Sequence, residues 1–258
     1  MYRKFLCRGL LLFSFCHLTI LGLQSQSHYQ LGLGTTNILD TYLSQEKFHG
    51  MGLSLLINSE RLKDSCRWSW AWQHQLHFSS AKDRADNSSL IEGMYKFYFG
   101  RYYRFTTPEQ KFQLHAGALA NIGVGVIYDT RNGNNPVQAR LGLHIMPSAK
   151  ASYPLRLFRH AAQLRYQLDL PLFGVVFSPN YGQSYYELFT LGNYDHNIVP
   201  TTFVSAPNFR QQFSLLYTFR PKLTFSIGYL GDYQQQRVNH LKQHVINHVV
   251  MVGFTKNM

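Results

Sequence analysis

The stretch Arg67–Ser79, RWSWAWQHQLHFS, alternates one residue at a time. Trp68, Trp70, Trp72, Leu76 and Phe78 fall on one face of an extended chain. Arg67, Ser69, Gln73, Gln75 and His77 fall on the other, and His74 is the single polar member of the apolar row. A period of two is the mark of a β-strand with one apolar side. The same pattern recurs in both directions. Tyr29, Leu31 and Leu33 alternate with Gln30, Gly32 and Gly34, and Met51, Leu53, Leu55 and Ile57 form a second row. Ile91, Tyr95, Phe97 and Phe99 oppose Glu92, Lys96 and Gly100. The longest row runs from Phe112 to Val126, and further rows follow at Val137–Ile145, Leu164–Leu170, Phe213–Phe219, Leu223–Tyr229 and Ile246–Phe254.

Most of these runs are about 9 residues or longer, the length a tilted strand needs to cross a bilayer. Soluble strands are typically 5–6 residues. A soluble β-sandwich alternates too, with its apolar face turned inward. The charges on the polar face would be costly in a packed core, and Tyr and Phe gather near strand ends as in an aromatic girdle. The expected fold is therefore all-β: a single antiparallel transmembrane β-barrel of about ten strands, or twelve. The longer connections, near 37–48, 80–89, 129–136, 171–207 and 234–243, follow alternate strands. This asymmetry places both termini in the periplasm. The segment 171–207 reads as one long external loop, or as two further strands near Phe173–Phe177 and Tyr185–Leu191.

The chain starts with Arg3, Lys4 and Arg8, then an apolar run from Gly9 to Leu23, then small polar residues at Ser25 and Ser27. This order predicts a secretory signal peptide over residues 1–27, cleaved after Ser25 or Ser27. The alternative is a retained anchor, but the run is shorter than the roughly 20 residues of a spanning helix. Cys7 and Cys16 leave with the leader, so the barrel at 28–258 keeps only Cys66 and has no disulfide framework. The formal net charge is +12, with three of these charges in the leader. An exported basic chain is expected to meet outer-membrane lipid, lipopolysaccharide or an anionic solute; nucleic acid is not an expected partner.

Five stretches resemble an uncharacterised family of small outer-membrane β-barrel proteins of Gram-negative anaerobes. They are Tyr42–Leu55 (YLSQEKFHGMGLSL), Glu92–Gly100 (EGMYKFYFG), Tyr128–Gln138 (YDTRNGNNPVQ), Phe173–Phe189 (FGVVFSPNYGQSYYELF) and Gly228–His244 (GYLGDYQQQRVNHLKQH). The resemblance implies fold, an outer-membrane location and passage through the barrel-assembly machinery. It carries no reaction and no functional residue. Phe254 is the last aromatic, followed by four more residues, whereas many bacterial barrels end on an aromatic.

The candidate lumen-lining residues are Arg67, Glu92, Lys96, Arg104, Arg140, Arg165, Asp169, Arg210 and Asp232, with Lys111, Lys150, Arg159, Arg220 and Lys222 on the same rows. Rings of Arg and Lys favour anions, which suggests a narrow anion-preferring channel. The other reading is a salt-bridged plug, because small barrels are filled by side chains and open channels belong to about 16–18 strands. In the long loop, Tyr181, Tyr185, Tyr186 and Asp195 are candidate external contacts. Ser184, Glu187 and His196 are the parts of a hydrolytic triad, the basis of a rim-located lipid hydrolase or acyltransferase reading. No Gly-x-Ser-x-Gly elbow supports it. Asp129, Asn132, Asn134 and Asn135 read as a hairpin turn around Asn-Gly in preference to a calcium loop. No metal spacing or phosphate loop is present, and neither metal nor cofactor is expected. The role expected of the barrel is structural, or interaction and surface ligand binding through its external loops.

Overall fold

The computed structural model describes residues 24–62, 66–105, 112–220 and 223–257. The first 23 residues of the expected leader, together with Lys111 and Lys222, lie outside the described residues. Twelve strands and one short helix follow in order. They are β1 (Gln24–Asp40), β2 (Ser44–Leu62), β3 (Trp68–Lys82), β4 (Ser89–Phe105), β5 (Gln113–Asp129), β6 (Val137–Leu157), β7 (His160–Asp169), β8 (Phe173–Phe177), α1 (Tyr185–Phe189), β9 (Ile198–Thr202), β10 (Phe209–Arg220), β11 (Leu223–Val238) and β12 (Leu241–Asn257). Ten strands close into an antiparallel barrel in which β7 pairs with β10 and β12 pairs back to β1. The remaining two, β8 and β9, are outer additions. β6 has 21 residues, so it can pair with β7 through Ser148–Leu157 and with β8 through Gly142–Ile145. β9 then pairs with β8.

The apolar rows face outward. Trp68 and Trp70 are 45% and 43% exposed, while Gln73, Gln75 and His77 on the opposite face of β3 are buried. Among the described residues no second sheet covers Trp68 or Trp70, which is the reverse of a sandwich. His74 sits half-buried on the outer face, where its Nδ1 meets the Tyr95 hydroxyl at 2.8 Å and its ring packs on Phe97. Near the end that bears the termini, the Arg101 guanidinium lies over Trp68 and Trp70, and Arg61 lies over Trp72. Such stacking keeps a charge at the edge of an apolar band.

The strands run further than their alternation suggests, so most expected external loops shrink. The β1–β2 turn is Thr41–Leu43, and β11 joins β12 through Asn239 and His240 at φ 48° and 61°. Phe158 and Arg159, at φ 47° and 71°, make the matching turn at the other end. Paired positive φ values match the twist of the flanking strands. The difference between the two ends is thus concentrated in residues 170–208. The turn at Asn132 forms as expected, but by another route. Asn132 Oδ1 accepts the N–H groups of Asn134 and Asn135 at 3.1 and 3.2 Å, and Gly133 does not take positive φ. This is side-chain mimicry of a backbone turn.

The second extra strand is not at Tyr185–Leu191. That segment starts α1, because Ser184 Oγ accepts the Glu187 N–H at 3.2 Å and the Glu187 carboxylate accepts the Ser184 N–H at 2.7 Å. This reciprocal capping box commits the segment to a helical turn. The strand that pairs with β8 is Ile198–Thr202.

Inside, the rows are not uniformly polar. Ile38, Phe48, Ala81, Leu90, Ile127 and Val245 join Leu43 in an apolar layer near the loop end. Smaller apolar groups, one around Tyr98 and Tyr102 and one around Leu56 and Met251, lie further along. Gly125 serves this packing. A Cβ there would stand 2.4 Å from the Met94 sulfur, so the glycine leaves room for that side chain.

Candidate functional site

The interior polar groups are stacked in levels along the barrel axis. In the middle, the Lys96 ammonium donates to both Asp232 oxygens at 2.7 and 2.9 Å, and Gln75 donates to the same carboxylate at 2.9 Å. Arg140 reaches from β6 to Glu92 on β4 and to Gln234 on β11. Ser79 donates to Glu92 at 3.0 Å, and His77 hydrogen-bonds to Ser54 at 2.7 Å. Toward the terminal end, Arg210 donates to Asp169 at 2.7 Å and to Gln73 at 3.0 Å, with its guanidinium over the Tyr98 ring. Gln167 and Ser148 complete the Asp169 shell. Gln73 and Gln167 bridge across the lumen at 3.2 Å. Three buried cations therefore each meet a buried carboxylate, with amides and hydroxyls as further partners, while Arg210 Nε and Nη2 have no hydrogen-bond partner among the described residues. Such an arrangement is a cross-linked filling, since each charge is held by a partner from a different strand.

A cavity of about 80 Å³ lies beside the middle level. It is lined by Lys96, Arg140, His144 and Asp232 from the lumen and by Phe209 and Tyr233 from the wall. Val176 and Phe177 of β8 add to the lining, and among the described residues β9, which pairs with β8, has no ladder to β11. The segment between β9 and β10 supplies two bonds instead: the Ser205 carbonyl accepts the Arg237 N–H at 2.9 Å, and Asn208 accepts the Gln235 N–H.

The loop end is covered by residues 178–197. Tyr42 donates its hydroxyl to the Gln183 carbonyl at 3.1 Å and packs edge-on to Tyr185. The Tyr185 hydroxyl accepts the Ala139 N–H at 2.7 Å and donates to Gln138 at 3.0 Å. Burial, helped by Asp40 and Glu187 nearby, pushes the Tyr42 phenol up to about 12. Burial raises Tyr185 as well. Both phenols therefore stay neutral and keep their donor role at physiological pH. The two hydrogen bonds from Ser184 hold the Glu187 carboxyl below the usual carboxylate range.

The structure places Glu92, Lys96, Arg140, Asp169, Arg210 and Asp232 together in the lumen as described, each buried. Arg165 also points inward, at the terminal end, with Lys150 on the neighbouring strand. Arg104 is half-buried on the inner row of β4. Arg67 stands apart: it is exposed just before β3 and donates to the Tyr103 hydroxyl at 3.1 Å on the barrel's outer side. Arg159 and Arg220 are likewise exposed at strand ends. The loop residues are divided. Tyr181, Tyr186 and Asp195 are exposed, and Tyr185 is the anchor of the cap. Ser184 and Glu187 spend their polar atoms on each other, and the His196 ring meets Asp195; among the described residues, no hydrogen bond joins Ser184 to His196. Tyr42, Gln138 and Gln183, which hold the cap, were not singled out by the sequence. The signal that could have found the cap was the Ser184-x-x-Glu187 spacing, a capping box.

A closed ten-strand antiparallel barrel with an apolar exterior and an ion-paired interior defines the class of this protein. The chain belongs to DUF3316, a family of proteins of unknown function, whose match covers residues 23–258. No curated protein matches it. Among solved structures it is similar to the outer-membrane protease OmpT of Escherichia coli, at 7% identity and TM-score 0.47, covering 93% of this chain and 99% of that one. An outer-membrane channel from Pseudomonas putida F1 gives 10% identity and TM-score 0.46, over 93% and 97%. The translocator domain of the autotransporter NalP from Neisseria meningitidis gives 10% and 0.41, over 99% and 95%.

Proposed function

We propose that this chain is an integral outer-membrane β-barrel whose lumen is plugged by its own ion pairs and whose loop end engages surface ligands or partners. The observation that carries the reading is the outward apolar band. Leu31, Leu53, Trp70, Ile122, Leu143, Phe225 and Val252 lie on seven different strands and are all exposed. Water would penalise a continuous belt of that kind, and hydrocarbon would not. The lumen supports a plug over an anion channel, because each mid-barrel cation is matched by a carboxylate within 4.0 Å. The interaction role rests on residues 181–204, where Tyr181, Tyr186, Phe189 and Tyr194 are each at least 63% exposed around the tethered cap. Lipid and lipopolysaccharide are the partners of the belt, and the barrel-assembly machinery inserts the chain after a leader is removed.

Two measurements test this. The unheated protein runs at a different position from the heated protein on a detergent gel, and it shows no steady conductance in a planar bilayer. An unchanged mobility overturns the membrane barrel. A stable conductance, by contrast, leaves the barrel standing and overturns the plug.

A further inference from the structure

The charge balance of the mid-barrel levels fails at the terminal end of the lumen. Lys150 on β6 and Arg165 on β7 face inward there, with His115 of β5 directly across from Lys150 and Arg104 of β4 directly across from His115. The carboxylate of this level is Glu60 of β2, which meets Lys150 at 3.2 Å, His115 at 3.6 Å and Ser69 at 2.7 Å. Among the described residues, neither Arg104 nor Arg165 shares in an ion pair. The Arg165 guanidinium makes one hydrogen bond, to Gln163 at 3.3 Å, and among the described residues no carboxylate lies within 4.0 Å of it. It faces a second cavity, of about 50 Å³, together with Lys150, His28, Asn58 and Thr255, and with Glu60, whose carboxylate is held by Lys150. Thr255 Oγ1, which is buried, has no protein partner there, and neither has Asn58 Oδ1.

A guanidinium balanced only at longer range, by Glu60, gains from a planar or tetrahedral oxyanion that its fork can hold at two points. Roughly 10–15 Å³ of such space is needed per water-sized atom, so the cavity takes about three to five oxygen-sized atoms. That is the size of a phosphate or a carboxylate head. We propose that this cavity is a binding site for one small oxyanion, gripped by Arg165 and Lys150, with the Thr255 hydroxyl as a further donor. The site belongs to the barrel interior whatever the external loops bind.

The experiment uses the folded barrel in detergent micelles and a buffer without oxyanions, titrated with inorganic phosphate and separately with succinate. The readouts are melting temperature and titration calorimetry. Wild-type protein shows saturable binding of one anion per barrel and a rise in melting temperature. A phosphate-only response assigns the site to phosphoryl groups, and a succinate-only response assigns it to carboxylates. Arg165→Gln binds at least tenfold more weakly and, without anion, melts no lower than wild type, because Glu60 keeps its ion pair with Lys150. Arg101→Gln, on the outer surface, binds as wild type does. Equal binding by Arg165→Gln overturns the proposal. So does absence of any anion response, with or without a lower melting temperature in Arg165→Gln; a lower value would mean that a protein carboxylate already neutralises the guanidinium. The heated and unheated gel mobilities of each variant report the barrel separately from the site.

Discussion

Replacing Asp232 by Asn removes the carboxylate that holds Lys96. The ammonium, whose hydrogen bonds among the described residues go to that carboxylate alone, is left with the new amide oxygen in its place, while Arg140 and Arg210 continue to repel it. Lys96 and Asp232 are 7% and 3% exposed, so little water can take over. Breaking a buried pair by removing one partner costs about 3–5 kcal/mol, most of it the uncompensated charge. The same cost is expected from Lys96→Met, which strands Asp232 with Gln75 and Gln234 as its remaining donors. The double variant Lys96→Met/Asp232→Asn removes both charges and keeps an acceptor for Gln75. It should lie within about 1–2 kcal/mol of wild type, since an apolar replacement of a whole buried pair is often neutral. The coupling energy of the cycle is then about 4 kcal/mol or more, above the usual range for direct neighbours. Urea unfolding in lipid vesicles, followed by tryptophan emission, measures all four proteins. Single-variant losses below about 1 kcal/mol that simply add would refute the reasoning. They would mean that water solvates both charges and that the lumen is wet at its centre.

Ile122→Arg places a charge on the outer face of β5 near its midpoint. In a bilayer this should cost about 2–4 kcal/mol of folding free energy, against about 0.5 kcal/mol or less for an ordinary surface change, and vesicle folding titrations decide between them. Ser184→Ala should loosen the cap by about 0.5–2 kcal/mol, read as faster proteolysis between 178 and 197, with barrel melting and the membrane lipid profile unchanged. The Glu187 carboxyl is held below its unfolded value, so its contribution to the cap is complete above the usual carboxylate range. That contribution is lost as pH falls through the lowered value, and proteolysis of the loop should accelerate there in wild type but not in Glu187→Gln. Intact-mass measurement of protein recovered from the outer membrane should give a first residue at Gln26 or His28, and a chain retaining residues 1–23 would rule out the leader.

The fold was legible because the barrel writes its environment into parity. Glu92, Lys96, Arg140 and Asp232 share a face with Gln75 and His77 in sequence, and the strands keep that face inward. Arg67 shows where parity stops. It has the inward phase of β3, but it stands beyond the strand's first residue, so position along the axis decides its exposure. The loop-end layer of Ile38, Phe48, Leu90, Ile127 and Val245 was hidden for a related reason. Where both faces are apolar the alternation loses contrast, and strands such as β1 and β2 look shorter than they are. The partnerships themselves are beyond sequence pattern. Lys96 and Asp232 are 136 residues apart, on β4 and β11, and nothing local pairs them.

The closing seam of the wall joins the first strand to the last, from Gln26 opposite Asn257 to Asp40 opposite Gln243. These partners are separated by about 200 residues or more, the costliest kind of contact to form early. Until β12 arrives, β1 and β11 each present a bare row of amide and carbonyl groups able to recruit any passing strand. The cylinder therefore cannot be finished piecemeal during synthesis. The whole polypeptide has to be delivered before its two ends meet, and it must be kept from self-association throughout that delay.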